Sequence, residues 1–364
     1  MEGNRGKKRV LYVSGYADLV GGGQVSLLLL LKHLDRERFL PMLLCPDEGE
    51  VARRARNLSV EVYSLGARSS IDSRSAMLYA QSLRKQAKIS GAGVVHCDTI
   101  YTALMSGIGL MGLQIPVIFH ARSSESGGIL DAILPLLCAK IICVSNATAR
   151  RFSRPSPSKV RVIYNGVDLS EFHPNAGGGA LREKLGIAED ALVLGYAGQV
   201  MKEKGLDLLI QAFSKLRAEF ATVHLLITGR GEDEVVLRAA AGDGARFLPF
   251  MGAMPEFYSA LDVFVLPTRH HEGLSRSLIE AMACAVPCVS TPLGGNAETL
   301  VEGETGYFIP TRDEDALYGR LRDLCLAPEV RGRMGTAGRK RAERLFDAVV
   351  CTRAVEALYQ QICP

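Results

Sequence analysis

Two glutamates eight residues apart, Glu272 and Glu280, stand in the stretch "HHEGLSRSLIEAMACAVPCV", His270 to Val289. Glu272 lies among Pro267, Thr268, His270, His271 and Gly273 and reads as loop; Glu280 lies inside "SLIEAMACA", an otherwise apolar helical run. A carboxylate in an apolar helix is costly unless its oxygens are hydrogen-bonded. A ribose offers two adjacent hydroxyl donors that one carboxylate can accept, the match that dinucleotide-binding folds use. Ser275 is an N-cap candidate just after Gly273 and Leu274, so the first-turn N–H groups would face the loop and could hold phosphate. Glu272, ahead of the helix, could accept from sugar hydroxyls. On these residues alone a second reading stays open, with Glu280 on the exposed edge of an amphipathic helix and Glu272 an ordinary loop acid.

Other residues pose similar choices. His120 ends the apolar string "VIFH". It is either a capped strand-end histidine or a group facing a ligand, and the following "ARSSESGG" favours the second. His270 and His271 are adjacent and read as loop residues. Gly21, Gly22 and Gly23 either make a tight turn or let the backbone approach a ligand closely. No G-x-G-x-x-G follows the first strand and no G-x-x-x-x-G-K-[ST] occurs, which argues against a nicotinamide dehydrogenase or a P-loop ATPase. No Cys/His cluster has metal-ligand spacing, and "RDEDA" around Asp313 reads as the acidic first turn of a helix. No metal and no cofactor is expected.

These residues must be positioned by a chain of 364 residues, 48% of them hydrophobic, which suggests two domains with a sizeable core in each. The first half reads as the strands "RVLYVS", "FLPMLLC", "VEVYSL", "GVVHC", "PVIFH", "KIICVS" and "VRVIYN", with helical patterns between them, as at Val25 to Leu34 and Ser73 to Lys88. After the Gly-rich break "NAGGGA" (Asn175 to Ala180) the grammar restarts with "LVLGYAG", "VHLLITG", "ARFLPF", "DVFVLPT" and "VPCVST". Unbroken apolar strands alternating with helices predict parallel sheets covered on both faces. The expected fold class is α/β, two doubly wound Rossmann-like domains at 1–170 and 171–345, joined near residues 166–180. The stretch from Arg331 to Gln361 reads as helix, and a terminal helix at 346–364 is expected to pack back on the first domain. In such sheets ligands bind beyond the carboxyl ends of strands, so the strand-to-helix loops should carry the site.

The nine cysteines form no C-x-x-C and mostly sit in apolar patterns, which fits free thiols in a reducing cytoplasm. "VLYV" is too short for a signal-peptide core and Val25 to Leu31 too short to span a bilayer. Residues 1–170 carry 22 Lys and Arg against 13 Asp and Glu, whereas residues 171–364 carry 21 against 26. Either this is ordinary surface variation, or the first half faces an anionic partner such as a membrane leaflet at the cytoplasmic side. Nucleic acid is not expected, since the basic residues are not interleaved with aromatics.

The surroundings of the two glutamates carry a specific resemblance. "DVFVLPT" precedes them and "AMACAVPCVSTPLGGNAETLVEGETGYFIP" follows, with Gly294, Gly295, Glu298, Thr305 and Gly306 in a Gly-Gly-x-x-Glu loop and a Thr-Gly step. The region resembles the retaining glycosyltransferases of family 4 (group 1), which have the GT-B architecture of two Rossmann-like domains facing across a cleft. "VIYNGVDLSEFHP", "GYAGQVMKEKGLDLLIQAF", "LLITGRGED", "VIFHARS" and "GGGQVSLLLL" extend the likeness over most of the chain. The resemblance implies that Glu272 contacts donor-sugar hydroxyls and Glu280 the ribose. It also puts Lys204 against the donor diphosphate, has His120 reach the donor sugar, and makes Gly22 and Gly23 approach the ligand. Gly273, Leu274 and Ser275 would line the phosphate site, and Arg230 would lie in the loop that bounds the base. One departure stands out: the family's phosphate-clamp Arg falls at Gln199, which brings no charge and no bidentate fork. Lys202 or Arg230 is a candidate replacement.

The implied reaction moves a sugar from a nucleotide-sugar donor, a substrate rather than a cofactor, to a carbohydrate or lipid-linked hydroxyl, with retention and without metal. Cell-surface polysaccharide or glycolipid synthesis is the expected setting. Charge stabilisation at the departing phosphate would be the main catalytic demand. A sugar-nucleotide epimerase of the same fold and a non-catalytic sugar-nucleotide-binding protein are the alternatives, the second kept open by Gln199.

Overall fold

The computed structural model describes residues 6–65, 73–152, 157–249 and 254–362, so Cys363 and the Phe250 of "ARFLPF" lie outside the described residues. Two compact units divide the chain: Met1–Gly166 with Ala348–Pro364, and Val167–Asp347. These limits differ by a few residues from 170 and 345. The backbone explains the shift, since Val167 donates to the Phe346 carbonyl at 2.7 Å and bridges to Asp347, tying both crossing points into the second unit.

The first unit is built on seven strands: β1 (Lys8–Val13), β2 (Phe39–Cys45), β3 (Glu61–Ser64), β4 (Val94–Cys97), β5 (Val117–Ala121), β6 (Lys140–Cys143) and β7 (Val160–Val162). They pair in the order β3-β2-β1-β4-β5-β6-β7, all parallel. Side-chain alternation divides the core in two. Val10 and Tyr12 of β1 face one layer with Leu27, Leu31, Phe39 and Leu43. Leu11 and Val13 face the other, with Tyr79, Leu83, Phe119 and Phe152. The central strands are buried throughout and hence unbroken in apolar character, whereas the edge strand β3 keeps Glu61 and Ser64 at the surface.

The terminal stretch is two helices, Pro328–Leu345 and Ala348–Ile362, rather than the one expected from Arg331 to Gln361. Phe346, fully buried, ends the first by donating to the Ala342 carbonyl, and the chain then leaves the second unit. The last helix belongs to the first unit, where Val355, Leu358 and Tyr359 join the layer around Tyr12. Three buried side chains of this size contribute about 5 kcal/mol or more to holding it there.

The second unit has six strands: β8 (Val193–Ala197), β9 (His224–Thr228), β10 (Ala245–Leu248), β11 (Val263–Leu266), β12 (Cys288–Ser290) and β13 (Gly306–Phe308). Their order is β10-β9-β8-β11-β12-β13, again all parallel. The chain winds outward from β8 and then resumes at β11 on the other side, which makes the β8/β11 edge a topological switch point. The glycines of "NAGGGA" are no flexible break. Gly178 opens the helix Gly178–Lys184, and a Cβ there would come within 2.2 Å of the Ser259 backbone, so glycine is what lets that helix pack closely.

Candidate functional site

In the second unit the loops after β8, β9 and β11 leave the sheet at its carboxyl edge. The β8 loop passes Gln199 and turns through Lys202–Lys204 into the helix Leu206–Glu219. Gly205 makes that turn with φ +74°, and a Cβ there would lie 1.9 Å from the Pro267 carbonyl oxygen. Only glycine therefore brings the Lys204 turn against the end of β11. Arg269 fastens the same contact by donating to the Lys202 carbonyl at 2.9 Å and to Asp207 at 3.0 Å, while its own N–H goes to the Glu203 carbonyl.

This places Lys204 Nζ 2.6 Å from Glu272 Oε1, with both side chains about one-fifth exposed. The two are 68 residues apart in sequence and read separately there as a phosphate ligand and a sugar ligand. Gln199 is exposed, and its carbonyl accepts from Tyr196 at 2.6 Å. Arg230 is exposed on the adjacent β9 loop, whose carbonyl accepts from Val200 N–H at 3.0 Å. Arg230 thus lies next to the Gln199 loop. Lys202 is exposed too, its N–H donating to Asp233. Glu203, Glu232 and Asp233 bring carboxylate oxygens within 4.8 Å of one another, an arrangement of surface acids that could hold a cation.

The helix after β11 runs Arg276–Ala283 with Ser275 at its N-cap, but the Ser275 side chain does not cap it. Ser275 Oγ meets Ser277 Oγ instead, and Ser275 N–H reaches Asn296 Oδ1 at 3.3 Å. Gly273 and Leu274 are buried, and Gly295 N–H donates to the Glu272 carbonyl, joining the Gly294–Gly295 loop to the glutamate. Fully buried Asn296 was not legible as a site residue; its amide nitrogen meets no partner among the described residues.

Glu280 is buried rather than on an exposed edge, and its carboxylate has local partners. Arg276 donates to Oε1 at 2.8 Å from one turn earlier, and Tyr258 donates to the same carboxylate. Burial and the neighbouring carboxylate hold the Tyr258 phenol well above its ordinary value, so it stays a donor. The Arg276 spacing of four was a signal in the sequence; Tyr258 left none.

In the first unit His120 sits at the end of β5 and is buried. Its Nδ1 lies 3.1 Å from His96 Nε2, and His96 Nδ1 lies 2.5 Å from the Tyr359 hydroxyl, which donates to Tyr12 at 3.0 Å. Arg122 Nη2, which can only donate, lies 3.4 Å from the same His120 Nδ1. The other ring nitrogen of His120, Nε2, is buried. That Nε2 meets no partner among the described residues. Burial and the Arg122 guanidinium keep both rings neutral: His96 falls to about 3 and His120 well below its usual range. Arg122 bonds Asn165 Oδ1 at 3.0 Å, and a Cβ on Gly23, in the first turn of the helix Gly22–His33, would lie 3.3 Å from Arg122 Cδ. A small cavity here is lined by Ser26, His120, Arg122, Asn165 and Thr352. His96 and Tyr359 were not read as site residues, because nothing local joins positions 263 residues apart. His270 and His271 lie on the loop after β11, as expected, and "RDEDA" is a helix start, with Asp313 accepting from Ala316 N–H at 2.8 Å.

Comparison with known proteins bears on the family and the fold. A family model described as glycosyl transferases group 1 matches residues 179–341, and one described as glycosyltransferase family 4 matches residues 20–171. The chain is 32% identical over 231 residues to spore coat protein SA of Bacillus subtilis, covering 57% of this chain and 61% of that protein. It is 31% identical over 245 residues to the capsular polysaccharide biosynthesis glycosyltransferase CapM of Staphylococcus aureus, covering 64% of each. The chain thus spans less than two thirds of the length of these relatives. Among solved structures, Anabaena Alr3699/HepE in complex with UDP superposes with TM-score 0.84 at 18% identity, over 97% of this chain and 100% of that one. Sucrose-phosphate synthase from Thermosynechococcus elongatus gives 0.83 at 19%, over 98% and 99%. These likenesses establish the GT-B fold.

Proposed function

The chain belongs to the family 4, group 1 glycosyltransferases, and from that premise we propose that it transfers a sugar from a nucleotide-sugar donor to a hydroxyl acceptor. The observation that carries the reading is the 2.6 Å approach of Lys204 to Glu272 at the β8/β11 switch point. A cation and a carboxylate side by side match the two ends of a sugar diphosphate. Lys204 takes the phosphate and stabilises the charge that develops as it leaves. Glu272 accepts from sugar hydroxyls, and Glu280, steadied by Arg276 and Tyr258, accepts from the ribose. Gly273, Leu274 and Ser275 offer backbone at the helix start. Arg230, on the β9 loop that bonds the backbone next to Gln199, supplies the charge that Gln199 lacks. In the first unit, Gly22 and Gly23 keep the backbone open to the ligand, and His120 Nε2 bonds a sugar hydroxyl.

Retention at the anomeric carbon and independence of metal are part of the proposal, with the leaving phosphate helping to take the acceptor proton. The acceptor is assigned to the first unit as a carbohydrate or lipid-linked hydroxyl in surface polysaccharide or glycolipid synthesis, met at the cytoplasmic membrane face. CapM, a capsular polysaccharide biosynthesis glycosyltransferase, supports that setting.

Calorimetric titration with a panel of nucleotides and sugar nucleotides tests the donor site. One sugar nucleotide should bind selectively, and Lys204→Ala should weaken it about tenfold or more, the worth of a hydrogen bond to a charged group. Turnover should survive a chelator, and the product anomer should keep the donor configuration. Isomerisation of the donor without acceptor would make the chain an epimerase. Binding without turnover on any acceptor would make it a sugar-nucleotide-binding protein, with Gln199 as the reason.

A further inference from the structure

Four buried side chains of the first unit form a hydrogen-bonded chain that ends at His120: Tyr12 of β1, Tyr359 of the last helix, His96 of β4 and His120 of β5. Successive polar atoms lie 3.0, 2.5 and 3.1 Å apart. Both rings are neutral, so each carries one proton, and one proton lies between His96 Nε2 and His120 Nδ1. If His96 donates it from Nε2, His120 Nδ1 accepts and His120 holds its own proton on Nε2. If His120 donates it from Nδ1, His96 accepts at Nε2 and holds its own proton on Nδ1. The two rings therefore carry the same tautomer, both Nε2–H or both Nδ1–H, and they change together.

The two ends of the chain favour different pairs. The Tyr359 hydroxyl gives its single proton to Tyr12, so its oxygen is left to receive one from His96 Nδ1. That end favours the Nδ1–H pair, which leaves His120 Nε2 a bare acceptor. At the other end Arg122 Nη2, which only donates, approaches His120 Nδ1. That end favours the Nε2–H pair, which makes His120 Nε2 a donor. The tyrosine contacts are the shorter, 2.5 and 3.0 Å against 3.4 Å, and a hydrogen bond weakens toward the longer distance.

We propose that Tyr12 and Tyr359 are positioning residues that set the tautomer of His120 through His96, holding both rings as Nδ1–H so that His120 Nε2 meets its ligand as an acceptor. Neither tyrosine touches that ligand. An acceptor at Nε2 takes a hydroxyl, which has a proton to give, and discriminates against an ether or carbonyl oxygen, which has none. The last helix closes the chain, since without the Tyr359 hydroxyl the Arg122 contact alone decides the pair. The inference rests on the reading of His120 as a sugar ligand for its consequence in turnover. The tautomer itself is read with neither donor nor acceptor present, so either can fail without the other.

Nitrogen NMR spectra of the full chain, isotope-labelled at its seven histidines, read the tautomers directly, because protonated and bare imidazole nitrogens resonate far apart. His96→Gln and His120→Gln identify the signals of the two rings. At neutral pH both rings of the wild type should be Nδ1–H. Tyr12→Phe keeps the ring that stacks on His96, 5.2 Å between centroids, and releases the Tyr359 proton to His96 Nδ1. It should move the ratio of the two pairs about tenfold toward Nε2–H at both histidines, the worth of one hydrogen bond. Tyr359→Phe should move it the same way, and Arg122→Met should leave the Nδ1–H pair in place. Different tautomers at the two rings, the Nε2–H pair in the wild type, or tyrosine variants that keep both the wild-type circular dichroism spectrum and the wild-type tautomers would overturn the inference. A shift at His120 that leaves turnover unchanged would uphold the tautomer control and remove His120 as a sugar ligand.

Discussion

Replacing Glu280 tests how a carboxylate survives inside the helix Arg276–Ala283. Its partner Arg276 lies 2.8 Å away, and both side chains are 11% exposed. A solvent-exposed pair at this spacing stabilises by about 0.4 kcal/mol, whereas breaking a buried pair costs about 3–5 kcal/mol. The burial here is near the second limit. Local helix physics opposes the pair: Arg276 is a cation in the first turn, at the positive end of the dipole, and the basic residue precedes the acid. Subtracting up to about 1 kcal/mol for that leaves a coupling of about 2–4 kcal/mol. Glu280→Ala alone should cost about 3 kcal/mol, because it strands both the guanidinium and the Tyr258 hydroxyl. Glu280→Gln, which still accepts from both, should cost about 1 kcal/mol. The assay is urea unfolding of the wild type, Glu280→Ala, Arg276→Ala and the double variant, read as a double-mutant cycle. A coupling below about 0.5 kcal/mol would refute the buried pair. The result also decides how the donor site is probed. With the coupling present, lost nucleotide binding in Glu280→Ala reports folding as much as recognition, and Glu280→Gln is the variant to titrate.

Three further outcomes follow from the geometry. Gly205→Ala must adopt φ +74° with its Cβ 1.9 Å from the Pro267 oxygen, whereas Gly186→Ala meets φ +62° in open space. Denaturant unfolding should show a loss of about 1 kcal/mol at Gly186 and about 3 kcal/mol or more at Gly205, and equal losses would mean the Lys204 turn is not held as described. Ala285 has φ +58° just past the helix Arg276–Ala283, where Val286 N–H donates to the Ala281 carbonyl and Ala285 N–H to that of Met282. This is a Schellman end with alanine in the glycine position, so Ala285→Gly should raise stability by about 1 kcal/mol in the same assay. Finally, His96 and His120 are neutral when folded, with His96 down at about 3, so below the ordinary 6.5 the unfolded chain binds protons that the folded chain does not. Stability should therefore fall as pH drops through that window, by about 2 kcal/mol per histidine between pH 7 and pH 5. Urea midpoints at the two pH values check this, and His96→Gln should flatten the slope.

Most of the fold was legible because it is written in local patterns. A buried parallel strand must be apolar on both faces, so β1, β5 and β8 read as strands without any partner in view. The Glu272 and Glu280 spacing and its surroundings likewise carried the resemblance to the family. Local patterns failed where long-range contacts decide. "NAGGGA" read as a break because glycine signals a turn, yet Gly178 serves the close approach of a helix that only the folded chain brings near. The helix from Arg331 to Gln361 read as continuous, because the Phe346 carbonyl that ends it finds its partner at Val167, on the other crossing of the chain. The partners of the site residues were equally hidden. Lys204 meets Glu272 across 68 residues, Tyr258 meets Glu280, and His120 is oriented through His96 by Tyr359 from the last helix. The sequence by itself determined which segments are strands and helices, which loops carry polar groups, and the family they belong to, since periodicity and spacing are properties of neighbours along the chain. Which polar groups touch, and which tautomer or ion pair each therefore holds, was decided only by tertiary structure, because a hydrogen bond depends on distances of about 3 Å that no sequence separation encodes.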